Sequence, residues 1–316
     1  MNSAIRIVEQ GMQPHRPVLY HEILYGLQPR PGGWYVDGTV GAGGHARGIL
    51  EASAPDGLLL GLDMDPKAIE IAKRELQEFG CRAILIQDSY ISLSDHLREL
   101  GWKKVDGIIL DLGVSSMQLD SPQRGFSFLQ EGPLDMRFAP DLPKSASQLV
   151  NNLPEHELTD LIWQFGEEPH ARQIARAICQ ARPIQTTLQL ASVISTVIHP
   201  QPGKINPATL TFQALRIAVN DELNNISRVL PLAVGFLKKG GRLAVISFHS
   251  LEDRIVKQYF RTENHDCICP PRQPACTCGH KASVKWINRQ VIRPGQSEVA
   301  ENPRARSARL RIIEKI

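Results

Sequence analysis

Long apolar runs are missing from this chain, and their absence excludes a first class of function. The longest apolar stretches, such as Leu58–Leu62, fall far short of the roughly 20 residues that span a bilayer, so no transmembrane helix is expected. Residues Met1–Pro17 contain no apolar core of the kind a secretory leader needs, which leaves the cytoplasm as the expected compartment. Cysteine is scarce: six in 316 residues, with Cys81 and Cys179 isolated and the other four clustered. An intracellular chain of this size needs no disulfides to fold. Repeats and low-complexity segments are also absent.

Acid is missing where it would neutralise. Between Ala171 and Asn220 there is no Asp or Glu, against five basic residues (Arg172, Arg176, Arg182, Lys204 and Arg216). Lys281–Ile316 carries nine basic and three acidic side chains, although the whole chain is only +3. Segregation of this kind is an electrostatic footprint for a polyanionic partner, with a solvated basic surface as the plain alternative. What is present otherwise is ordinary for a soluble protein, at 42% hydrophobic and 22% charged. The length suits two domains, or one domain with a large insertion.

In the first half strands and helices alternate, which predicts an α/β fold with a parallel sheet covered on both faces. Trp34–Asp37 is a short strand entering a glycine-rich turn, and Leu58–Asp63 an apolar strand ending in an acid. Pro66–Phe79 reads as a helix with Pro66 in its first turn and Asp65 as N-cap. Arg82–Gln87 and Gly107–Leu112 supply the third and fourth strands. From about Ser115 to Asp221 helical patterns take over: Ala146–Val150, Glu155–Phe165, Ala171–Gln180, Leu188–Ile198 and Thr209–Leu223. The last has Phe212, Leu215, Val219 and Leu223 on one face, with Arg216 expected in solvent beside them.

The α/β pattern resumes with a helix from Asp221 to Lys239 that stops at Gly240-Gly241. A buried strand, Arg242–Phe248, a helix, Leu251–Phe260, and an alternating strand, Ala308–Ile313, follow. The expected organisation is a discontinuous sheet domain, 1–115 and 221–316, interrupted by an all-helical insert, 116–220.

Asp37-Gly-Thr-Val-Gly-Ala-Gly-Gly-His45 is the most informative stretch. Glycines directly after a strand permit positive φ and close backbone approach, and the next helix offers unpaired N–H groups. Asp63 falls about twenty residues on, at the end of the second strand, where a carboxylate can accept from ribose hydroxyls. Two cofactor classes suit this arrangement. Gly41-Ala-Gly43-Gly-His-Ala46 satisfies the nicotinamide dinucleotide pattern G-x-G-x-x-A. A methyl donor instead has a cationic methionine end that favours carboxylates, and Asp37 and Asp111 stand at two strand ends to provide them. Each acid also makes sense as a strand-end cap; the pair favours the methyl donor.

On these motifs the chain resembles the bacterial ribosomal small-subunit cytosine-N4 methyltransferases, the RsmH or MraW family. His15–Leu19 is similar to the family's opening motif, Asp37–His45 to its cofactor loop and Asp106–Ser116 to its fourth-strand motif. Arg124–Phe128, Gly132–Arg137, Ile246–Arg254 and Glu301–Ser307 follow in order. The resemblance covers most of the chain. It implies a Rossmann-like class I S-adenosylmethionine-dependent methyltransferase sheet, and methyl transfer to N4 of a cytidine in the decoding region of 16S rRNA, in the small ribosomal subunit or its precursor. It also implies cofactor contacts at Gly43, Gly44, His45, Asp63, Tyr90, Asp111 and Gln118. Tyr90 departs from the family's usual Phe and reads as an aromatic wall for the adenine.

An exocyclic amine is a poor nucleophile, so transfer needs alignment and an acceptor for an amine proton. Many amino-methyltransferases place a D/N/S-P-P-aromatic loop after the fourth strand. Here Asp111-Leu-Gly-Val-Ser-Ser116 stands there without the prolines or the aromatic. Asp111 and Ser115 are the candidate acceptors, with Asp135 and His249 second. Ser115 as a helix cap, Asp135 paired with Arg137 and His249 as a strand-end residue are the plain alternatives.

Cys267, Cys269, Cys276 and Cys278 have the thiolates for one tetrahedral zinc, but C-x-C is not the usual knuckle spacing, and free thiols in a proline-rich loop remain the other reading. Rival functions are a nicotinamide-dependent dehydrogenase, a non-catalytic RNA-binding or ribosome-assembly protein, and methylation of DNA or another RNA.

Overall fold

β-branched and leucine-rich segments separated by turn residues give the strands of one sheet, and the helices between them cover its faces. The computed structural model describes residues 17–203, 205–270, 273 and 275–316. His15 and Arg16 of the opening motif and Lys204 of the basic run lie outside the described residues.

The N-terminal half alternates α1 (Tyr20–Leu27), β1 (Trp34–Asp37), α2 (Gly44–Ala52), β2 (Leu58–Asp63), α3 (Pro66–Glu75), β3 (Ala83–Gln87), α4 (Leu93–Glu99) and β4 (Val105–Asp111). Six helices follow: α5 (Ser116–Asp120), α6 (Ala146–Asn152), α7 (Glu155–Gly166), α8 (Ala171–Ala181), α9 (Thr187–Val197) and α10 (Ala208–Asn220). The remainder is α11 (Glu222–Phe236), β5 (Leu237–Ser247), α12 (Ser250–Glu263), β6 (Val284–Trp286), α13 (Gln296–Glu301) and β7 (Arg309–Lys315).

The strands form one sheet in the order β3-β2-β1-β4-β5-β7-β6. The first five run parallel, β7 is antiparallel to β5, and β6 is antiparallel to β7. The strand order reverses between β1 and β4, so the connections leave these neighbours in opposite directions and open a crevice beyond their carboxyl ends. Asp37 and Asp111, the last residues of the two strands, stand at that crevice.

One face of the sheet buries Val36, Leu60, Ile108 and Val245 against α4, α11 and α12, with Leu97, Val229 and Phe260 from the helices. The other buries Tyr35, Leu59, Ile109 and Ile246 with Ile23, Ile49 and Ile69. The α5–α10 region has a third core of its own, including Ile162, Ile174, Leu190, Phe212 and Leu215.

Several elements depart from the sequence-based expectation. The helix expected to reach Lys239 ends at Phe236, because buried Leu237 already pairs opposite Val105. Gly240 and Gly241 then lie in an irregularity of β5, where the register moves on to Gly107 opposite Arg242. A Cβ on Gly241 would stand 3.0 Å or less from two carbonyl oxygens, of Lys238 and Val105, so this glycine serves a close approach rather than a helix stop. Likewise α3 stops at Glu75, and a 3₁₀ segment kinked at Gly80 (φ 54, ψ −128) carries the chain into β3. Arg182, read as part of the basic run, donates to the Val150 and Leu153 carbonyls at 2.7 and 2.6 Å and so caps α6.

The edge of the sheet is tied to α12 by charge. Buried Arg311 on β7 forks onto Asp253 at 2.6 and 3.0 Å, holding that carboxyl below its usual range despite burial. Asp253→Ala is expected to lower unfolding free energy by about 3 kcal/mol, because it strands a buried guanidinium. Urea denaturation measures this, and an unchanged midpoint would show that Arg311 is solvated instead.

Candidate active site

The crevice is built by the turn after β1. Gly43 has φ 92 and precedes α2, whose N-terminus has no side-chain cap, so its first N–H groups are left for another acceptor. The turn is stitched to both neighbouring strands: Gly38 N–H donates to the Ile109 carbonyl at 3.0 Å and Val40 N–H to the Leu62 carbonyl at 2.8 Å. Gly44 faces Pro17, where a Cβ would come within 2.4 Å of Cγ. At the end of β2, Asp63 accepts from the N–H groups of Gly41 and Asp65, each at 2.9 Å. Those bonds set its orientation and still leave lone pairs.

Three carboxylates and one imidazole converge here. Asp37 Oδ1 accepts from Thr39 N–H at 3.1 Å, while buried Oδ2 has no hydrogen-bond partner among the described residues. Thr39 Oγ1 accepts from Asp111 N–H at 2.6 Å, tying the two strand ends together. Asp111 Oδ1 is also buried without a hydrogen-bond partner among the described residues, and its Oδ2 lies 3.8 Å from His45 Nε2. Burial, then repulsion from Asp37 and Glu252, pushes the Asp111 carboxyl up to about 8. Burial pushes Asp37 to about 7 and Asp63 to about 6, the latter restrained by its two N–H donors. Burial lowers His45 to about 4, so the imidazole is neutral at pH 7 and its contact with Asp111 is no ion pair. Tyr20 stacks on that ring at 6.4 Å.

A group of acids held above their ordinary range, with two buried oxygens and both buried imidazole nitrogens lacking hydrogen-bond partners among the described residues, is costly unless a ligand satisfies it. The complementary ligand is cationic and brings N–H or O–H donors.

The segment after β4 is locked by a capping box. Ser115 Oγ accepts from Gln118 N–H at 3.3 Å, and Gln118 Oε1 accepts from Ser115 N–H at 3.1 Å. Ser115 therefore caps α5. The Gln118 amide donates to Asp65 Oδ2 at 3.0 Å, an oxygen that also takes the Arg124 guanidinium. Arg124 in turn donates to the Arg137 and Phe138 carbonyls, both at 2.9 Å. Asp65, foreseen only as the cap of α3, is thus the point where the insert is fastened to the sheet.

The second-rank proton acceptors, Asp135 and His249, are engaged elsewhere. Asp135 forks with Arg137 at 2.7 and 2.9 Å, which holds its carboxyl low. His249 caps α12, with its Nε2 3.0 Å from Glu252 Oε1. Tyr90 packs against the α11–α12 face of the core, where burial and then Glu222 and Glu252 raise its hydroxyl.

Arg216 corrects the expectation of a solvated side chain. It is mostly buried, with 17% of its side chain exposed, and forks onto Glu222 at 2.8 and 3.1 Å, with Glu252 3.9 Å away. The cause is the left-handed turn at Asp221 (φ 51), which folds α11 back beside α10. Glu222, His249 and Glu252 gather closely enough to hold a metal, but the guanidinium already supplies their positive charge. Sequence reading missed Glu222, Glu252 and Arg124 because their partners come from separate elements. For Arg124 and Glu252 the one available signal was their place within the family motifs; Glu222 had none.

Beside α5 opens a cleft of about 440 Å³ lined by Leu119, Asp120, Phe126, Phe128, Leu129 and Arg304. Phe126 stacks on Phe138 at 5.6 Å, and the Arg124 guanidinium lies over its ring at 5.8 Å. Arg304 of the C-terminal segment closes one side through an ion pair with Asp120.

A profile of the MraW methylase family matches residues 12–316. This chain belongs to that family. The curated relative "Ribosomal RNA small subunit methyltransferase H" of Dehalococcoides mccartyi is 52% identical, across 96% of this chain and 87% of that protein. The protein of the same name from Geobacter sulfurreducens is also 52% identical, across 96% and 99%. Likeness to solved structures is loose: an rRNA methylase from Streptococcus thermophilus shares 11% identity over 96% of this chain and 99% of that one, with a TM-score of 0.42. As an MraW methylase the chain is an S-adenosylmethionine-dependent methyltransferase on a class I sheet, and the dehydrogenase reading falls away. That donor is cationic and rich in N–H and O–H groups, as the crevice requires.

Raised carboxyl values carry a stability consequence. Unfolded Asp ionises near 4, so between that pH and about 8 the folded chain binds more protons and the Asp111 contribution is lost as pH rises. Asp111→Asn is expected to stabilise the ligand-free protein at pH 8 by on the order of 1 kcal/mol, with little change at pH 4. Thermal unfolding across that range checks it; an equal shift at both pH values would contradict the assignment.

Proposed function

We propose that this chain transfers the methyl group of S-adenosylmethionine to N4 of a cytidine in the decoding region of 16S rRNA, in the small ribosomal subunit or its precursor. The observation that carries the reading is the Asp37–Asp63–Asp111 group, Asp37 buried and the other two half-buried, at the strand-order reversal of an MraW-family chain. The names of the curated relatives support ribosomal RNA as substrate, and the motif resemblance supports the cytidine N4 atom. Among the described residues no helix is long and apolar enough to cross a membrane, which accords with work on ribosomes in the cytoplasm.

In this reading residues 1–115 and 221–316 bind the donor, and 116–220 recognise RNA around their separate core. Asp37 and Asp111 hold the cationic methionine end, Asp63 accepts from the ribose, and Gly43, Gly44 and His45 admit the donor close to the backbone. Tyr90 bounds the adenine, and Gln118 positions the loop through Asp65. The bound donor supplies an electrophilic methyl on a sulfonium.

This chain's own side chains supply alignment and a proton acceptor. Asp111 is preferred over Ser115, because the Ser115 hydroxyl is committed to the α5 cap whereas Asp111 Oδ1 has no hydrogen-bond partner among the described residues. The cleft beside α5 offers the half-buried ring of Phe128 and the exposed Leu129 side chain to an unstacked base, a π-face being recognised by stacking worth about 1–3 kcal/mol. Exposed Arg172, Arg289, Arg293 and Arg306 are placed to meet phosphates.

The decisive experiment is mass spectrometry of 16S rRNA from cells with and without the gene. One N4-methylcytidine is expected to vanish and to return on treatment with purified protein and S-adenosylmethionine; a modification that persists in the deletion overturns the reading. Arg172→Glu with Arg289→Glu should weaken RNA binding about tenfold or more and flatten its salt slope by about 2, with donor affinity unchanged. Donor binding should also tighten from pH 6 to 8, because a cationic ligand favours the ionised forms of Asp37 and Asp111 and releases their protons. Calorimetry in buffers of differing ionisation enthalpy reads that release directly.

A further inference from the structure

The excursion between α12 and β6 has almost nothing to bury. Its base is stitched: Ser283 N–H donates to the Glu263 carbonyl at 2.8 Å, Ala282 N–H to Asp266 Oδ1 at 3.2 Å, and Trp286 N–H to Asn264 Oδ1 at 3.2 Å. Beyond that base the apolar side chain Ile268 is 52% exposed, and Cys267, Cys276 and Cys278 are exposed as well. A loop of this length that shows no helix, strand or core among its described residues needs some other tie to hold one shape.

The four cysteines of this loop come together. The sulfurs of Cys276 and Cys278 lie 3.6 Å apart and those of Cys278 and Cys267 3.8 Å, and all four, Cys269 included, lie within 4.8 Å of one another. Zinc–sulfur bonds of about 2.3 Å in a tetrahedron put neighbouring sulfurs about 3.8 Å apart, close to the 3.6 and 3.8 Å of the Cys276–Cys278 and Cys278–Cys267 pairs. The same separations are far beyond the roughly 2.05 Å of a disulfide bond. Ile268 N–H points to the Cys278 sulfur at 3.4 Å, a backbone donor well placed to support a thiolate. His280 is not part of the donor set, since its Nε2 lies 3.0 Å from the Thr262 carbonyl.

We propose that Cys267, Cys269, Cys276 and Cys278 bind one zinc ion through four thiolates, and that this ion is the missing core of the loop. The C-x-C spacing that made the sequence ambiguous is resolved by the fold, because the base of the loop brings the two pairs face to face. On binding, each thiol gives up its proton to solvent and one zinc–sulfur bond forms per cysteine, with no change of oxidation state. The site is structural: four protein ligands leave no open position for a substrate.

The ion also has a place in substrate contact. Cys267 and Ile268 form one wall of an open cleft of about 590 Å³ whose other lining includes Arg254, Lys257, Arg261 and His265. A zinc-held loop fixes that wall beside four basic or titratable side chains, a surface suited to phosphate groups. The loop leaves the C-terminal end of α12, whereas Glu252, which acts on Asp111 in the donor crevice, is in the first turn of that helix.

The test uses the full chain, purified without chelator from zinc-supplemented cells. Elemental analysis is expected to find about one zinc per chain, and cobalt substitution to give thiolate charge-transfer and tetrahedral d–d absorption. Cys276→Ser with Cys278→Ser should abolish both while S-adenosylmethionine binding by calorimetry stays within about twofold. If that double variant does not fold, chelation of the unaltered protein followed by limited proteolysis replaces it; new cleavage confined to 264–283 is the expected result. Zinc below about one-tenth per chain, together with no cobalt spectrum from the reduced protein, overturns the proposal. So does a non-reducing mass spectrum in which these cysteines have lost their four hydrogens to disulfides.

Discussion

Everything at the crevice follows from placing like charges together out of water. Asp37 and Asp111 end adjacent parallel strands, and the reversal of strand order at that point leaves the space beyond them open to a ligand. Thr39 ties the two together from its backbone and hydroxyl. Burial, and after it the neighbouring carboxylates (Asp63 for Asp37, Asp37 and Glu252 for Asp111), keeps both carboxyls above their usual range. A positively charged donor turns that stored penalty into affinity, and this is the sense in which the site is prepared for a sulfonium rather than for a pyrophosphate.

The insert is fastened to this crevice by two polar junctions of opposite design. At the first, Asp65 collects Gln118 and Arg124, so the start of α3, the α5 segment and the 124–138 strap share one carboxylate. At the second, Arg216 on α10 reaches across the turn at Asp221 to Glu222, with Glu252 and His249 behind. Asn220 completes the second junction, accepting from Phe138 N–H and donating to the Met136 carbonyl, each at 2.7 Å. Removing one partner of such a buried group is far more damaging than never having had the pair. These junctions therefore specify where the insert sits as much as they stabilise it.

The basic character of the chain is thinned by folding. Arg182 and Arg216 serve the insert's own architecture, Arg309 and Arg311 hold α12, and Arg304 is paired with Asp120. Within the two basic stretches, the exposed arginines are Arg172 and Arg176 of α8 and Arg289, Arg293, Arg304 and Arg306 of the C-terminal segment. A count of charge along the sequence thus overstates what a polyanion meets, while the segregation itself survives.

What the sequence determined by itself was local: strand alternation, the glycine turn, the acids that end β1, β2 and β4, and the apolar face of α10. Each depends on residues within a few positions of one another, where periodicity and turn chemistry act. Tertiary structure decided the rest. Which oxygens of Asp37 and Asp111 stay without a partner, that Ser115 is used as a cap, that Arg216 is mostly buried, and that Gly241 serves a close approach within β5 all depend on segments tens to hundreds of residues apart. The four cysteines make the same point, since their spacing was ambiguous until the base of the loop brought their sulfurs together. Side-chain pairing across elements is set by three-dimensional proximity and desolvation, and neither is written in linear spacing.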